Sequence, residues 1–281
     1  MSRRHSSFVA DDHRRRHSAA HRGGMTLIEL VVAASVMSLV AVALGGLVIA
    51  VDSARSHVRG VHEATAQGQF AIDRIRSAVN RSGSYRIGTG ATVLGVAVVW
   101  TDDRPETLVV WTGGRDASLA DASPLDRLPK ANELVLYTPD PDEPLRLVEI
   151  VVPTATGNVD FDSAGFEAQI RQLVGDAGTE KLTLCDRVRL SSVDSTSAAN
   201  VRFELDETPT AAQIAATPVG TEAWRSLPWV SGVSSSRAGL RQCAVRIELQ
   251  TVTLDDVTND SASPSLPGFG VAVRRYEHRE G

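Results

Sequence analysis

The sequence has few cysteines and few aromatic residues, and it lacks the common catalytic motifs. It has two cysteines, and aromatic residues make up 5% of its 281 positions. So few cysteines exclude a disulfide-rich miniprotein, and 42% hydrophobic residues exclude wholesale disorder. G-x-S-x-G, H-E-x-x-H, P-loop and dinucleotide-binding patterns are all missing. We therefore predict a non-catalytic protein without a metal site or cofactor.

Basic residues outnumber acidic residues in the first 24 positions but not in the rest of the chain. The formal charge is −5, but residues 1–24 contain six arginines and two aspartates, which leaves −9 on residues 25–281. Binding to nucleic acid requires a basic surface that neutralises phosphates. We therefore predict no nucleic-acid partner, and the short basic leader is not expected to supply one.

One long stretch lacks charge altogether. Leu30–Val51 contains 22 uncharged residues, and as a helix it spans roughly 33 Å, enough for a hydrocarbon core of about 30 Å. The arginine-rich flank before it and the acidic bulk after it place the N-terminus in the cytoplasm and the rest outside, by the positive-inside rule. We expect a single-pass protein of the cytoplasmic (inner) membrane.

The residues that join the basic leader to the apolar run form a specific motif. A carboxylate at the edge of a membrane helix, such as Glu29, is costly and needs a reason. The sequence Gly24-Met25-Thr26-Leu27-Ile28-Glu29-Leu30 resembles the class III signal of the type IV pilin and type II secretion pseudopilin family. Met25 stands where that family more often has phenylalanine.

The resemblance implies how the precursor is processed and assembled. A prepilin peptidase would cleave between Gly24 and Met25, and Met25 would then be N-methylated. Thr26 and Glu29 are assigned to assembly, with Glu29 pairing with the terminal amine of a neighbouring subunit. The implied partners are that peptidase, other pilin or pseudopilin subunits, the inner-membrane assembly platform and membrane lipid. The implied product is a periplasmic or surface filament.

A second resemblance lies further along the chain. The segment Gln69–Arg86 is similar to the D-R-I-R-x-A region of the J-type minor pseudopilin and W-type minor pilin group. It favours a minor subunit of a type IV pilus or a type II secretion pseudopilus. The competing hypothesis is an uncleaved single-pass membrane protein with an extracytoplasmic binding or sensor domain.

The apolar run continues into an amphipathic segment. Val61, Thr65, Gly68, Ile72, Ile75 and Val79 follow 4-3-4-3-4 spacing, which predicts one helix from Met25 to Asn80 with its second half on a sheet. Gly45 and Gly46 interrupt the apolar half at roughly 1 kcal/mol each against alanine. They indicate either local helix flexibility or close packing between membrane helices.

The remainder predicts an extracytoplasmic β-rich head, so the fold class is α+β, pilin-like. The predicted divisions are a removed leader (1–24), the long helix (25–82) and the head (83–281). The helix is expected to pack on an antiparallel sheet, because alternating apolar and polar residues mark half-buried strands. Predicted strands cover 92–101, 107–112, 133–138, 145–152, 181–190, 201–206, 240–254 and 271–276, with a short helix at 163–174 and loops at 113–130, 191–198, 207–238 and 255–268.

Few residues of the head are candidates for a disulfide, a metal site or a binding surface. Cys185 and Cys243 lie in the half expected outside the membrane, so a disulfide and two buried thiols are both open. The acidic groups at 102–103, 140–143 and 255–256 lack the spacing of a calcium loop and are interpreted as solvated turns. Trp224 and Trp229 indicate either a contact surface or a local hydrophobic anchor.

Overall fold

The computed structural model describes residues 25–88, 92–101, 104–120, 123–193, 196–217, 221–227, 238–253 and 265–279. It confirms the α+β class, with one long N-terminal helix followed by antiparallel sheets. The chain divides into two compact units, residues 1–54 and 55–281. The boundary between these units falls inside the long helix, whose second half belongs to the same unit as the sheets.

The elements are numbered in chain order. They are α1 (Leu27–Asn80), β1 (Ser84–Tyr85), β2 (Val93–Leu94), β3 (Val96–Thr101), β4 (Arg104–Trp111), a 3₁₀ turn (Ala131–Glu133), β5 (Leu134–Pro139), β6 (Leu147–Val151), α2 (Phe166–Val174), β7 (Glu180–Cys185), β8 (Leu190–Val193), β9 (Thr196–Ala199), β10 (Val201–Thr208), α3 (Ala211–Ala216), α4 (Glu222–Arg225), β11 (Ala238–Thr251) and β12 (Leu266–Arg279).

The second half of α1 is amphipathic, as its spacing predicts, and the helix ends at the predicted Asn80. Its buried residues are Ala64, Gly68, Ala71, Ile72, Ile75, Ala78 and Val79. Two members of the predicted stripe differ, because Thr65 is exposed and Val61 is only half-buried. The buried face instead includes three alanines, whose small side chains let a sheet approach the helix closely.

Two larger sheets follow the helix, and all their pairings are antiparallel. The first has five strands in the order β3-β4-β5-β6-β7, and the second has three in the order β10-β11-β12. Two short pairs, β1-β2 and β8-β9, complete the described strands. The β11-β12 pairing runs without a register shift from Ala238 opposite Arg279 to Thr251 opposite Leu266.

The five-stranded sheet is buried on both faces. Leu108 and Val110 of β4 belong to a core shared with α1 and the three-stranded sheet. Val109 and Trp111 point to the other side and share a second core with α2. Burial on both faces explains why these strands read as continuous apolar runs and not as alternating patterns.

Several sequence predictions need correction. The predicted loop at 191–198 belongs to the β8-β9 hairpin, and the predicted strand at 181–190 is interrupted between Cys185 and Leu190. The predicted loop at 207–238 contains α3 and α4, and β12 begins at Leu266, five residues early. These segments are polar and rich in serine and threonine, so their sequence predicted loops. In the structure their backbone groups form strand pairs in β8, β9 and β12 and helical hydrogen bonds in α3 and α4. The short helix near 163–174 is confirmed, with Phe166, Ile170 and Leu173 buried.

Candidate assembly segment and its anchor to the head

The predicted processing site lies at the start of the described chain. Gly24 lies outside the described residues, whereas Met25 is non-helical and 64% exposed. The helix begins two residues later, at Leu27. The described side of the predicted cleavage site is therefore exposed, non-helical chain directly before a helix.

Thr26 and Glu29 close the first turn of α1 as a capping box. The N–H of Thr26 donates to Glu29 Oε2 at 2.9 Å, and the hydroxyl of Thr26 donates to the same oxygen at 3.0 Å. In return, the N–H of Glu29 donates to Thr26 Oγ1 at 3.3 Å. The pair satisfies backbone donors that a helix N-terminus leaves unpaired, and the negative charge offsets the helix dipole. The chain itself thus holds the two predicted assembly residues together.

The apolar half of α1 is exposed along its whole length in the described part of the chain. Every residue from Met25 to Arg59 is exposed, including bulky side chains such as Leu27 at 82% and Val42 at 75%. Among the described residues, α1 is the one helix long and apolar enough to cross a membrane, and it lies near the N-terminus. Among the described residues, this segment therefore belongs to no buried core.

The two serines inside the apolar half are satisfied locally. Ser35 Oγ donates to the Val31 carbonyl and Ser38 Oγ donates to the Ala34 carbonyl, each at 2.8 Å. Bonding to a carbonyl four residues back hides each hydroxyl against its own helix. These polar groups therefore do not conflict with a hydrocarbon environment.

Gly45 and Gly46 lie within an unbroken α-helix. A Cβ built at either position has no other atom within 4 Å, apart from the local helix backbone. Nothing within the described chain therefore requires glycine here. Both sequence hypotheses stay predictions, since helix flexibility and packing against another membrane helix each involve something beyond this single chain.

A buried carboxylate ties the second half of α1 to the five-stranded sheet. Glu149 of β6 is fully buried and accepts hydrogen bonds from Arg74 Nε at 2.7 Å and Nη2 at 2.9 Å. Arg115 Nε donates at 3.0 Å and the Tyr137 hydroxyl at 3.2 Å. The bidentate geometry with Arg74 is the strong form of this contact. We call these four residues the Glu149 cluster.

The Glu149 cluster was not recognised in the sequence, although a signal existed. Glu149 stands in the otherwise apolar strand L-V-E-I-V, and a charge in a buried strand demands a partner. Arg74 belongs to the D-R-I-R segment, and the resemblance of that segment to minor pseudopilins does not by itself give Arg74 a physical role. The structure supplies one, because Arg74 is the helix residue that neutralises Glu149.

A second buried charge joins α1 to the segment between β7 and β8. Arg187, with a side chain 4% exposed, forms an ion pair with Glu63 at 2.9 Å and donates to the Gly60 carbonyl at 3.4 Å. This contact lies at the interruption of the predicted strand 181–190. The break thus places a guanidinium against the helix.

The two cysteines are free thiols in the structure, so of the two alternatives it contains the buried pair. Both belong to the core shared by α1 and the three-stranded sheet. Burial raises the pKa of each thiol, Cys185 to about 11 and Cys243 to about 11. Neither is activated as a thiolate near neutral pH.

The remaining sequence candidates are local structural features. Trp224 is buried against Ile214 and Leu227, which favours the anchor hypothesis for it, whereas Trp229 lies outside the described residues. Asp140 and Asp142 both bind Lys181 Nζ, at 2.7 and 2.8 Å. No group of three potential metal ligands occurs in the part of the chain that the structure describes. The acidic residues at 102–103 and 255–256 lie outside it.

Comparisons with known protein families, with curated proteins and with solved structures find no match for this chain. Function is therefore inferred from the N-terminal motif and from the described geometry.

Proposed function

We propose that this protein is a minor pilin or pseudopilin, a structural subunit processed by a prepilin peptidase and assembled into a filament through its N-terminal helix. The observation that carries the proposal is the exposed apolar helix that begins at Leu27, within the Gly24–Leu30 motif, and bears an acidic capping box in its first turn. A subunit that moves from a bilayer into a filament needs an apolar helix that its own head does not cover.

The capping box gives Glu29 a physical role in this scheme. Cleavage after Gly24 would remove a leader of formal charge +4 and create an ammonium group at Met25. In the precursor the Glu29 carboxylate is held by Thr26, so it is oriented and uncovered at the tip of the helix. An ammonium from a neighbouring subunit would add the cation that this carboxylate lacks. Because an unpaired charge in an apolar filament core is costly, pairing would fix the axial register.

The processing step is tested by expressing the full chain with and without a prepilin peptidase and sequencing its N-terminus. We expect Met25 with the peptidase and Met1 without it. A Gly24→Leu variant is expected to keep Met1 in both cases, because a bulky residue replaces the small one before the cleavage point. An unchanged Met1 in every sample would favour the uncleaved membrane-anchored alternative.

The assembly step is tested with Glu29→Ala and a matched control. Asp52→Ala removes an acidic, exposed residue from the same helix at a site without an ion pair among the described residues. We expect normal cleavage of both variants, but loss of Glu29→Ala from purified filaments. Recovery of Glu29→Ala equal to that of wild type and Asp52→Ala would refute the assigned role.

A further inference from the structure

A cavity in the β-rich unit lies along an edge strand from each of the two larger sheets. Its volume is about 390 Å³, within the range of ligand pockets. Val96 and Val98 of β3 line it from the five-stranded sheet, and Leu205 and Glu207 of β10 line it from the three-stranded sheet. Both β3 and β10 are the first strands of their sheets, so in the described chain no further strand pairs with their outer edges.

The backbone of β3 is oriented to accept another strand. Gly95, directly before β3, uses both of its backbone groups on the paired side: its N–H donates to Gly83 at 2.9 Å and its carbonyl accepts from Trp111 at 2.7 Å. Because backbone groups alternate along a strand, those of Val96 and Val98 point to the opposite, unpaired edge. An edge of this kind, beside a cavity, suits β-strand addition by an extended peptide.

Two buried polar atoms beside the cavity have no hydrogen-bond partner in the described part of the chain. Thr92 is fully buried and Arg241 has a side chain 8% exposed, and both residues line the cavity. Arg241 donates to the Thr92 carbonyl and to the Glu207 carboxylate, yet its Nε and the Thr92 hydroxyl oxygen have no hydrogen-bond partner among the described residues. Buried polar atoms without hydrogen-bond partners are rare in native proteins. Arg241 Nε and the Thr92 hydroxyl therefore indicate a ligand that forms hydrogen bonds with them. A peptide group supplies both a donor and an acceptor.

The charged side chains that line the cavity favour a basic peptide. Three carboxylates line the cavity, those of Asp162, Glu167 and Glu207, against the one guanidinium of Arg241. Glu207 is paired with Arg241, and Glu167 with Arg171 at 3.0 Å. Asp162 makes no ion pair among the described residues. Most of the other lining side chains are apolar, so the cavity favours aliphatic residues next to a basic one.

We propose that this cavity binds an extended peptide segment that carries aliphatic side chains and a flanking lysine or arginine, added as a strand to the free edge of β3. The proposal does not depend on the pilin assignment, because it rests on the β-rich unit alone. It assigns the head a peptide-binding role in addition to any role in a filament.

The test uses the full-length protein in lipid nanodiscs and a fluorescein-labelled Lys-Val-Thr-Val-Lys peptide, followed by fluorescence anisotropy. Two exposed alanines of α3 provide matched variants. Ala215 lines the cavity, whereas Ala212, on the same short helix, does not. We expect saturable binding that Ala215→Trp weakens at least about tenfold and Ala212→Trp leaves unchanged.

Two further peptides separate the parts of the proposal. Glu-Val-Thr-Val-Glu reverses the charge, and a lysine peptide N-methylated at both valines removes the backbone donors that strand pairing uses. Both are expected to bind at least about tenfold more weakly than the parent peptide. The proposal is overturned if no saturation occurs by about 1 mM peptide, if Ala215→Trp binds like wild type, or if the acidic or methylated peptide binds as well as the parent.

Discussion

Replacing Arg74 by alanine should destabilise the β-rich unit far more than its position on a helix surface suggests. Arg74 is one quarter exposed, but it supplies two of the four hydrogen bonds to a carboxylate that is fully buried. The substitution leaves Glu149 with only Arg115 and Tyr137. The buried charge is then under-compensated, although it cannot reach water.

The size of the effect follows from the remaining partners. Removing one member of a buried ion pair typically costs about 3–5 kcal/mol. Because Arg115 still offers a cation at 3.0 Å, we expect the lower end, about 3 kcal/mol. For a domain of this size class each kcal/mol lowers Tm by about 2–4 °C, so the expected loss is roughly 6–12 °C.

The assay is thermal unfolding followed by near-ultraviolet circular dichroism, which reports on buried aromatic residues such as Trp111. Arg76→Ala is the matched control, because Arg76 lies two residues away on α1 and makes exposed contacts, an ion pair with Asp73 at 3.2 Å and a hydrogen bond to the Val271 carbonyl at 3.2 Å. An exposed pair contributes at most about 1 kcal/mol. If Arg74→Ala unfolds within about 2 °C of Arg76→Ala, the assigned role of the Glu149 cluster is wrong.

Acid sensitivity tests the same cluster independently. Burial raises the pKa of Glu149, but the hydrogen bond and charge of Arg74, the charge of Arg115 and the bond from Tyr137 outweigh it and hold the pKa below its usual value. A pKa that is lower in the folded state contributes stability that is present above about pH 4.3 and is lost as the pH falls through the folded value. Glu149→Gln should therefore lose stability at pH 7 but show a smaller further loss between pH 5 and 3 than wild type. An unchanged acid slope would contradict the argument.

Two further predictions concern close packing and thiol chemistry. A Cβ at position 270 would lie 2.4 Å from Ile72 Cγ2, so Gly270→Ala should cost about 1–3 kcal/mol in chemical denaturation, whereas Gly157→Ala, with open space around it, should cost almost nothing. Adding Ile72→Leu, which removes that methyl group, should recover part of the loss; no recovery would mean that the clash is not the cause. Cys185 and Cys243 should resist iodoacetamide at pH 8 in the folded protein and react after denaturation, because burial raises both pKa values to about 11. Mass spectrometry would show two alkylated thiols only after unfolding, and a mass unaffected by alkylation under non-reducing denaturation would instead indicate a disulfide.

Features with a single period or a local signal were predictable from the sequence. The helix end at Asn80 follows from a 3.6-residue period that stops at Ser82-Gly83, and α2 follows from the spacing of Phe166, Ile170 and Leu173. The alternation in β10 and β11 likewise predicted half-buried strands, and Val201 and Phe203 of β10 and Val245 and Ile247 of β11 are buried. These features depend on residues that are a few positions apart, and such patterns can be recognised in the sequence.

The β8-β9 hairpin and the early start of β12 were not predictable in the same way. Their residues are polar, small or rich in glycine, so local propensity favours loops. Gly268 and Gly270 instead belong to β12, where the absence of a side chain lets the strand approach Ile72 of α1. Whether these segments form strands depends on the strand or helix that packs against them. That neighbour is distant in the chain and cannot be recognised from the local sequence.

The sequence by itself determined the charge boundary at residue 24, the motif from Gly24 to Leu30 and an apolar segment long enough to cross a bilayer. These are linear properties, since they depend only on residue type and order. Only the tertiary structure decided that Arg74 neutralises Glu149 from 75 positions away, that both cysteines are buried thiols, and that two sheet edges border one cavity. The reason is that burial and pairing arise when distant segments meet, so the same arginine can be a solvated charge or a main partner of a buried carboxylate.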